Sequence, residues 1–454
     1  MSSQHFAQQS QLTAASRAQA LKSMANEELD VLVVGGGITG AGIALDAATR
    51  GLRTGIVEAG DWAAGTSAWS SKLVHGGLRY LYNLDFKLVT EALTERGLLL
   101  NKIAPHLVHA QPFLWPLKMP VIERAYSAIG IGMYDTLAFL GSRGHKGVPS
   151  QRHFTKAGTK TEKSVLFIIP WQRYWIIGTT DTPYTEDRER PVATSKDIDY
   201  VLMQANKLIA NPLTREDIIG TYTGLRPLLQ PKVKDGAAST KVSREHTVTE
   251  VAPGMSAIAG GKLTTYRVMA EDAVNFALGE QAKQNPSVTA NIGLVGADGY
   301  HAIAANRARY AERYGWDEDR ITHLLERYGA QIEDLGALID ADPSLGAPLA
   351  KAPQFLRADV VFAVRYEGAL HLEDVLVRRV RLDLEQRDRG LAAADEILEI
   401  LRSELGWDDQ KVKEERDLYA ARVQAIREAE SASTDAEASA KIEAVPAVDP
   451  RIKL

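Results

Sequence analysis

Three glycines in a GxGxxG frame, Gly35, Gly37 and Gly40, stand where an apolar run (residues 30–34) meets a helical pattern (residues 41–50). Each glycine has its own task there. Gly35 allows a tight turn, Gly37 lets the backbone approach a diphosphate, and Gly40 lets the helix pack close to the strand. Ile38 and Thr39 fill the turn. The unpaired amides at the helix start, at the positive end of its dipole, can receive phosphate oxygens. A second β-rich run, residues 54–57, ends at Glu58, 18 residues past Gly40, with Ala59 next. A carboxylate there can accept hydrogen bonds from an adenosine ribose. Strand, glycine turn, helix, strand and acid, in that order, predict a Rossmann-type unit for an ADP-containing cofactor. The spacing does not separate NAD from FAD, because both carry the same ADP moiety.

Further residues with chemical capacity follow. Thr66, Ser67, Ser70 and Ser71 offer hydroxyls in a loop that also holds Lys72, and Gly76 and Gly77 let the backbone lie against a flat ring. Loops of this length in compact domains are functional or disordered, and a plain surface loop is the alternative. His75 is of the type that takes a proton from an alcohol, with packing or a satisfied hydrogen bond as its other reading. Gly260, Gly261 and Lys262 precede a helical pattern over residues 263–278, whose first residues include Leu263 and Thr264. Amides at such a start stabilise negative charge. Arginine presents a planar fork to phosphate and lysine a point charge, so Arg79, Arg226 and Lys262 are candidate anion ligands, although each alone also suits a solvated surface. Tyr80 adjoins Arg79. With no cysteine in 454 residues, thiolate chemistry, disulfides and iron–sulfur clusters are excluded, and any redox work falls to a bound cofactor. None of the ten histidines falls in a trusted metal-ligand spacing, so no metal site is expected.

The elements that must position these groups are legible in outline. An apolar fraction of 45% beside 24% charged residues is globular, and a net charge of -5 argues against a nucleic-acid partner. The pattern predicts an α/β + α protein: a flexible extension (1–26), a cofactor domain (27–100 and 217–285), a substrate domain (101–216) built on a mixed sheet, a helical C-terminal domain (290–428) and a disordered tail (429–454). Hairpins are expected at 164–179 around residues 171–173 and at 246–259 around Pro253 and Gly254. The apolar stretch 126–141 is too short to span a bilayer and reads as a buried or interface helix. Without a secretion signal in the first 26 residues, cytoplasmic residence is expected.

Residues 65–81, GTSAWSSKLVHGGLRYL, closely resemble the flavin loop of FAD-dependent glycerol-3-phosphate dehydrogenases. So do IPW (169–171) with IGTTDT (177–182), GLRP (224–227) and AGGKLTTYR (259–267). The resemblance covers most of residues 30–428. It implies FAD as cofactor, held by Gly35, Gly37, Ile38, Thr39, Gly40, Glu58, Ala59, Thr66, Ser67, Ser70, Ser71, Lys72, His75, Gly76, Gly77, Gly261, Lys262, Leu263 and Thr264. It implies hydride transfer from C2 of sn-glycerol 3-phosphate to flavin N5, yielding dihydroxyacetone phosphate, with electrons passed to quinone. Catalysis would rest on His75, Arg79, Arg226 and Lys262, and substrate binding on Arg79, Tyr80, Arg226 and Lys262. Peripheral contact with the inner face of the cell membrane would give access to quinone, and an oligomer is compatible with the sequence. Other readings are an amine or amino-acid oxidase of the same fold, with Arg226 on a carboxylate, and a truncated FAD-binding protein without turnover. The chain departs from the family near residues 156–162. A long segment is absent there, one that in relatives completes the substrate sheet, adds a turn to the adenine and pyrophosphate site, and brings a histidine to the substrate. Its loss predicts exposed apolar strand edges.

Overall fold

The fold is that of a computed structural model, which describes residues 11–77, 85–111, 132, 136, 166–171, 173–226 and 245–448. The chain enters through helix α1 (Ala14–Asn26), capped by the Thr13 hydroxyl on the Ser16 amide at 3.0 Å. Over the described residues 11–26 this corrects the expectation of a flexible extension. Ala-rich composition favours the helix, and its flanks are docked: Met24 and Leu29 pack on Gly55, and Leu12 on Gly368.

Strand β1 (Val31–Val34) leads through the glycine turn to α2 (Ile38–Thr49) and then β2 (Thr54–Val57). The two strands pair in parallel, Val31 with Thr54 through Val34 with Val57. Helix α3 (Phe86–Leu98) starts at Asp85, which caps the Leu88 amide at 3.1 Å, and continues as a π turn over Leu99–Ile103. A tight antiparallel hairpin follows from β3 (Phe167–Trp171) to β4 (Tyr174–Gly178). Helix α4 (Ser195–Asn206) is closed by a capping box between Thr194 and Asp197. A second hairpin pairs β5 (Thr247–Ala252) with β6 (Met255–Ala259), and the chain then enters α5 (Tyr266–Leu278).

Helices α2 and α5 cross closely because Gly42 lacks a side chain. A Cβ there would lie 3.1 Å from Tyr266 and from Ala270. Two buried ion pairs fix this layer. Asp46 of α2 and Arg50 at its C-cap meet at 2.6 Å, and Arg267 of α5 forks onto Glu95 of α3 at 2.6 and 2.9 Å. Among the described residues each sheet has two strands, and only β1–β2 is parallel. Among the described residues of 101–216 the sheet present is the antiparallel β3–β4 hairpin, and the stretch 126–141, apart from residues 132 and 136, lies outside the described residues.

The C-terminal part is helical: α6 (Tyr300–Ala305), α7 (Arg307–Tyr314), α8 (Glu318–Tyr328), α9 (Ile332–Ala341), a small ladder of β7 (Pro348–Leu349) and β8 (Ala352–Leu356), then α10 (Arg357–Arg365), a π turn (Asp374–Arg379), α11 (Leu382–Glu385), α12 (Ala394–Leu405) and α13 (Asp409–Ser431). Phe355, Phe362, Leu324, Ile332 and Leu376 form its water-free centre. A final helix, α14 (Asp435–Glu443), folds back on α13, placing Ala438 and Ile442 against Ala425 and Ala429. Over the described residues 429–448 this corrects the expected disordered tail. The segment is poor in large apolar groups, but alanines on both helices allow close approach, and Thr434 caps the turn. No described helix is long and apolar enough to cross a membrane.

Candidate functional site

The site grows from the glycine turn. Gly35 has φ +113°, a conformation that L side chains rarely adopt, and a Cβ on Gly40 would stand 1.9 Å from the Gly35 carbonyl oxygen. Only glycines bring strand and helix this close. Gly37 is the N-cap of α2 and provides no side-chain cap, so beyond the Ile38 amide, which donates to the Ser67 hydroxyl, the helix start keeps amides for an anionic ligand. Thr39 occupies the first turn. The carboxylate of Glu58, at the end of β2, accepts from the Gly36 amide at 2.6 Å and from the Gly60 amide at 2.9 Å. It is thus fixed beside the turn, with lone pairs left for hydroxyls, while Ala59 is exposed.

The loop that follows is fastened at several points. The Ser67 hydroxyl accepts the Ile38 amide at 2.9 Å, and the Thr66 hydroxyl donates to the Leu225 carbonyl at 2.8 Å. Lys72 folds back onto the carbonyls of Ser67 and Ala68, and its amide reaches the Ser70 hydroxyl at 3.4 Å, with Ser71 between them. The His75 amide donates to the Thr264 hydroxyl at 3.1 Å, which joins the loop to the short turn Leu263–Thr265 ahead of α5. Gly76 and Gly77 are buried, and the Gly77 amide donates to Nδ1 of His75 at 3.0 Å. Because Nδ1 accepts, the ring proton of neutral His75 sits on Nε2.

Arg226 ends the strip that Thr66 and Trp69 hold in place, 3.4 Å from the Asp181 carboxylate. Gly261 adopts φ +78°, where a Cβ would run into Met269 at 2.2 Å, and Lys262 follows in extended conformation. Lys262 lies near Glu91. Burial raises the Glu91 carboxyl, and the charges of His246 and Lys262 oppose that rise. Arg79 and Tyr80 lie outside the described residues. Thus the structure gathers the glycine turn, Glu58, Thr66 to Gly77, Arg226 and the 261–264 turn into one neighbourhood.

The sequence reading missed Asp61, Trp62, Trp69, Arg378 and Arg379. A Cβ on Gly36 would meet Trp62 at 2.4 Å, and one on Gly224 would meet the Trp69 carbonyl oxygen at 2.4 Å, so these residues wall the site. The available signal was a pair of adjacent arginines in a mostly apolar run, residues 375–382, which no surface pattern explains. Among the described residues no group of acidic or histidine side chains is arranged to hold a metal. Backbone amides and Glu58 at one end, a glycine-lined strip in the middle and cations near it fit an ADP-linked flat ring and an anionic substrate.

Comparison with known proteins agrees with this geometry. A family described as FAD dependent oxidoreductase matches residues 30–137, and the C-terminal domain of alpha-glycerophosphate oxidase matches residues 287–412. "Glycerol-3-phosphate dehydrogenase 2" of Mycobacterium tuberculosis is 38% identical over 538 residues, covering 90% of this chain and 91% of the relative. The Mycobacterium leprae glycerol-3-phosphate dehydrogenase is also 38% identical, covering 90% of each. The first alignment is longer than the 454-residue chain, so residues of that relative have no counterpart here. Among solved structures, the glycerol-3-phosphate dehydrogenase from Bacillus halodurans complexed with FAD shares the fold, with a TM-score of 0.67 and 22% identity over 91% of this chain and 98% of that one.

Proposed function

The chain belongs to the FAD-dependent glycerol-3-phosphate dehydrogenase family, and from that premise we propose that it oxidises sn-glycerol 3-phosphate to dihydroxyacetone phosphate and delivers the electrons to a quinone at a membrane surface. The observation that carries this reading is the shared anchorage of the glycine turn, the loop from Thr66 to Gly77 and the 261–264 turn by Ser67, Thr66 and Thr264. When bound, FAD supplies a flavin nitrogen that accepts a hydride.

The chain's own groups do the rest. Amides at the start of α2 and the Glu58 carboxylate would hold the diphosphate and ribose. Amides of the 261–264 turn would stabilise negative charge on a reduced ring. Arg226 and Lys262, with Arg79, would neutralise the substrate phosphate and fix its orientation. Asp181 pairs with Arg226 at 3.4 Å and would help hold it in place. His75 would hold the C2 oxygen through Nε2–H, since Gly77 occupies Nδ1. Proton acceptance by this ring requires Gly77 to release that nitrogen.

An anaerobic absorbance titration of the purified, FAD-loaded protein tests the reading. Glycerol 3-phosphate should bleach the flavin band without NAD. Bleaching by amino acids alone would select an amine-oxidising enzyme of this fold, and retained flavin that nothing bleaches would leave a binding protein.

A further inference from the structure

Asp61 lies three residues past Glu58, in the turn that leads into the flavin loop. Its carboxylate receives both arms of the Arg379 guanidinium, at 2.6 and 2.7 Å, and the Nε of Arg378. Both arginines come from one π turn of the helical domain. Arg379 also donates to the Glu367 carbonyl at 2.8 Å, Arg378 reaches Glu373 at 3.2 Å and pairs with Asp374, and Arg422 joins Glu373. Three carboxylates thus face three guanidiniums. The centre of this network is nearly dry, with side-chain exposures of 7% for Asp61, 9% for Arg378 and 8% for Arg379. Burial pushes the Asp61 carboxyl up, but Arg379 and Arg378 outweigh it and hold the group below its ordinary range, hence ionised.

The other side of the same turn is wired to the glycine turn. Glu58 takes the Gly36 amide, the Ala63 amide donates to the Gly36 carbonyl at 3.0 Å, and the Trp62 ring covers Gly36. Trp62 in turn meets Gly368 of the helical domain. One short segment therefore bonds the helical domain on one side and the cofactor cradle on the other.

Resting on the FAD-binding reading above, we propose that Asp61 is a positioning residue: gripped by Arg378 and Arg379, it carries the hold of the helical domain to Gly36 and so sets the amides that receive the FAD diphosphate. A bidentate arginine fork specifies orientation as well as charge, which suits this task. A mere staple between domains would affect stability and leave cofactor affinity untouched.

The test compares FAD dissociation constants, from flavin fluorescence, with the thermal midpoint of the FAD-free protein. Asp61→Asn should weaken FAD by about tenfold or more and also lower the midpoint, because Arg379 loses the carboxylate it forks onto and Arg378 loses one of its three. The double variant Asp61→Asn with Arg379→Gln relieves that buried charge. It should recover much of the midpoint while FAD stays weak. Arg379→Lys, which keeps the charge but not the fork, serves if Asp61→Asn does not fold; it should weaken FAD several-fold with little change in midpoint. FAD affinity within about twofold of the unaltered chain in these variants, or affinity that returns in step with stability, overturns the proposal alone. An unaltered chain that takes up no FAD would overturn the cofactor reading beneath it.

Discussion

His75 shows how one hydrogen bond narrows a role. Its type suits proton abstraction, yet the Gly77 amide at 3.0 Å from Nδ1 places the ring proton on Nε2 and makes the resting side chain a donor. His75→Gln, which retains a donor, should lower kcat/KM by less than about tenfold and keep the acid limb of the pH profile, whereas loss of a general base costs on the order of 100-fold or more. A steeper fall with the acid limb abolished would assign the base to His75. Glu385 carries a different kind of information. Burial pushes its carboxyl up to about 7, against the pull of Gln354, Arg327 and Arg381. A carboxyl that holds its proton more tightly folded than unfolded contributes most below its ordinary value of 4.5, and that contribution is lost as pH rises to about 7. Glu385→Gln should therefore raise Tm by a few degrees near pH 8 and change it little near pH 5, as differential scanning fluorimetry would show.

Among the elements, the pairing of α3 with α5 depends on the Arg267–Glu95 fork. Glu95 is almost wholly buried, and Arg267 also binds Glu271 at 2.8 Å and Thr289 at 3.3 Å. Removing one partner of such a pair leaves an uncompensated charge away from water. Glu95→Ala is expected to cost about 3 kcal/mol, read from the urea midpoint of the FAD-free protein. The close crossing of α2 and α5 at Gly42 acts with this pair, because α5 follows directly on the 261–264 turn that meets His75. Elements with local signals were legible in the sequence. Both hairpins and the strand, turn and helix around Gly35 follow from short-range patterns of β-rich runs and glycines. Helices α1 and α14 were not, since their composition resembles a solvated tail and their order comes from docking, Met24 on Gly55 and Ile442 on the preceding helix α13.

For the molecule as a whole, the internal segment missing relative to the family has a visible counterpart. Leu32 is 54% exposed and Val34 78% exposed on β1, and among the described residues that strand pairs only with β2. In this fold a strand at the cofactor cradle is expected to be covered and paired. An open apolar edge invites association between chains. The purified protein should show scattering that rises with concentration, and Val34→Lys should reduce it; a monodisperse unaltered protein at every concentration would refute this expectation. The sequence by itself determined the cofactor turn, the acid at Glu58 and the family motifs, because these are contiguous and each residue type answers a local demand of backbone or charge. Only the tertiary structure decided that Asp61 meets Arg378 and Arg379, that Thr264 meets His75, and that the loop leans on residues 224–226. A residue's type states what it can bind, but its partner across hundreds of positions is chosen by how the helices and strands pack.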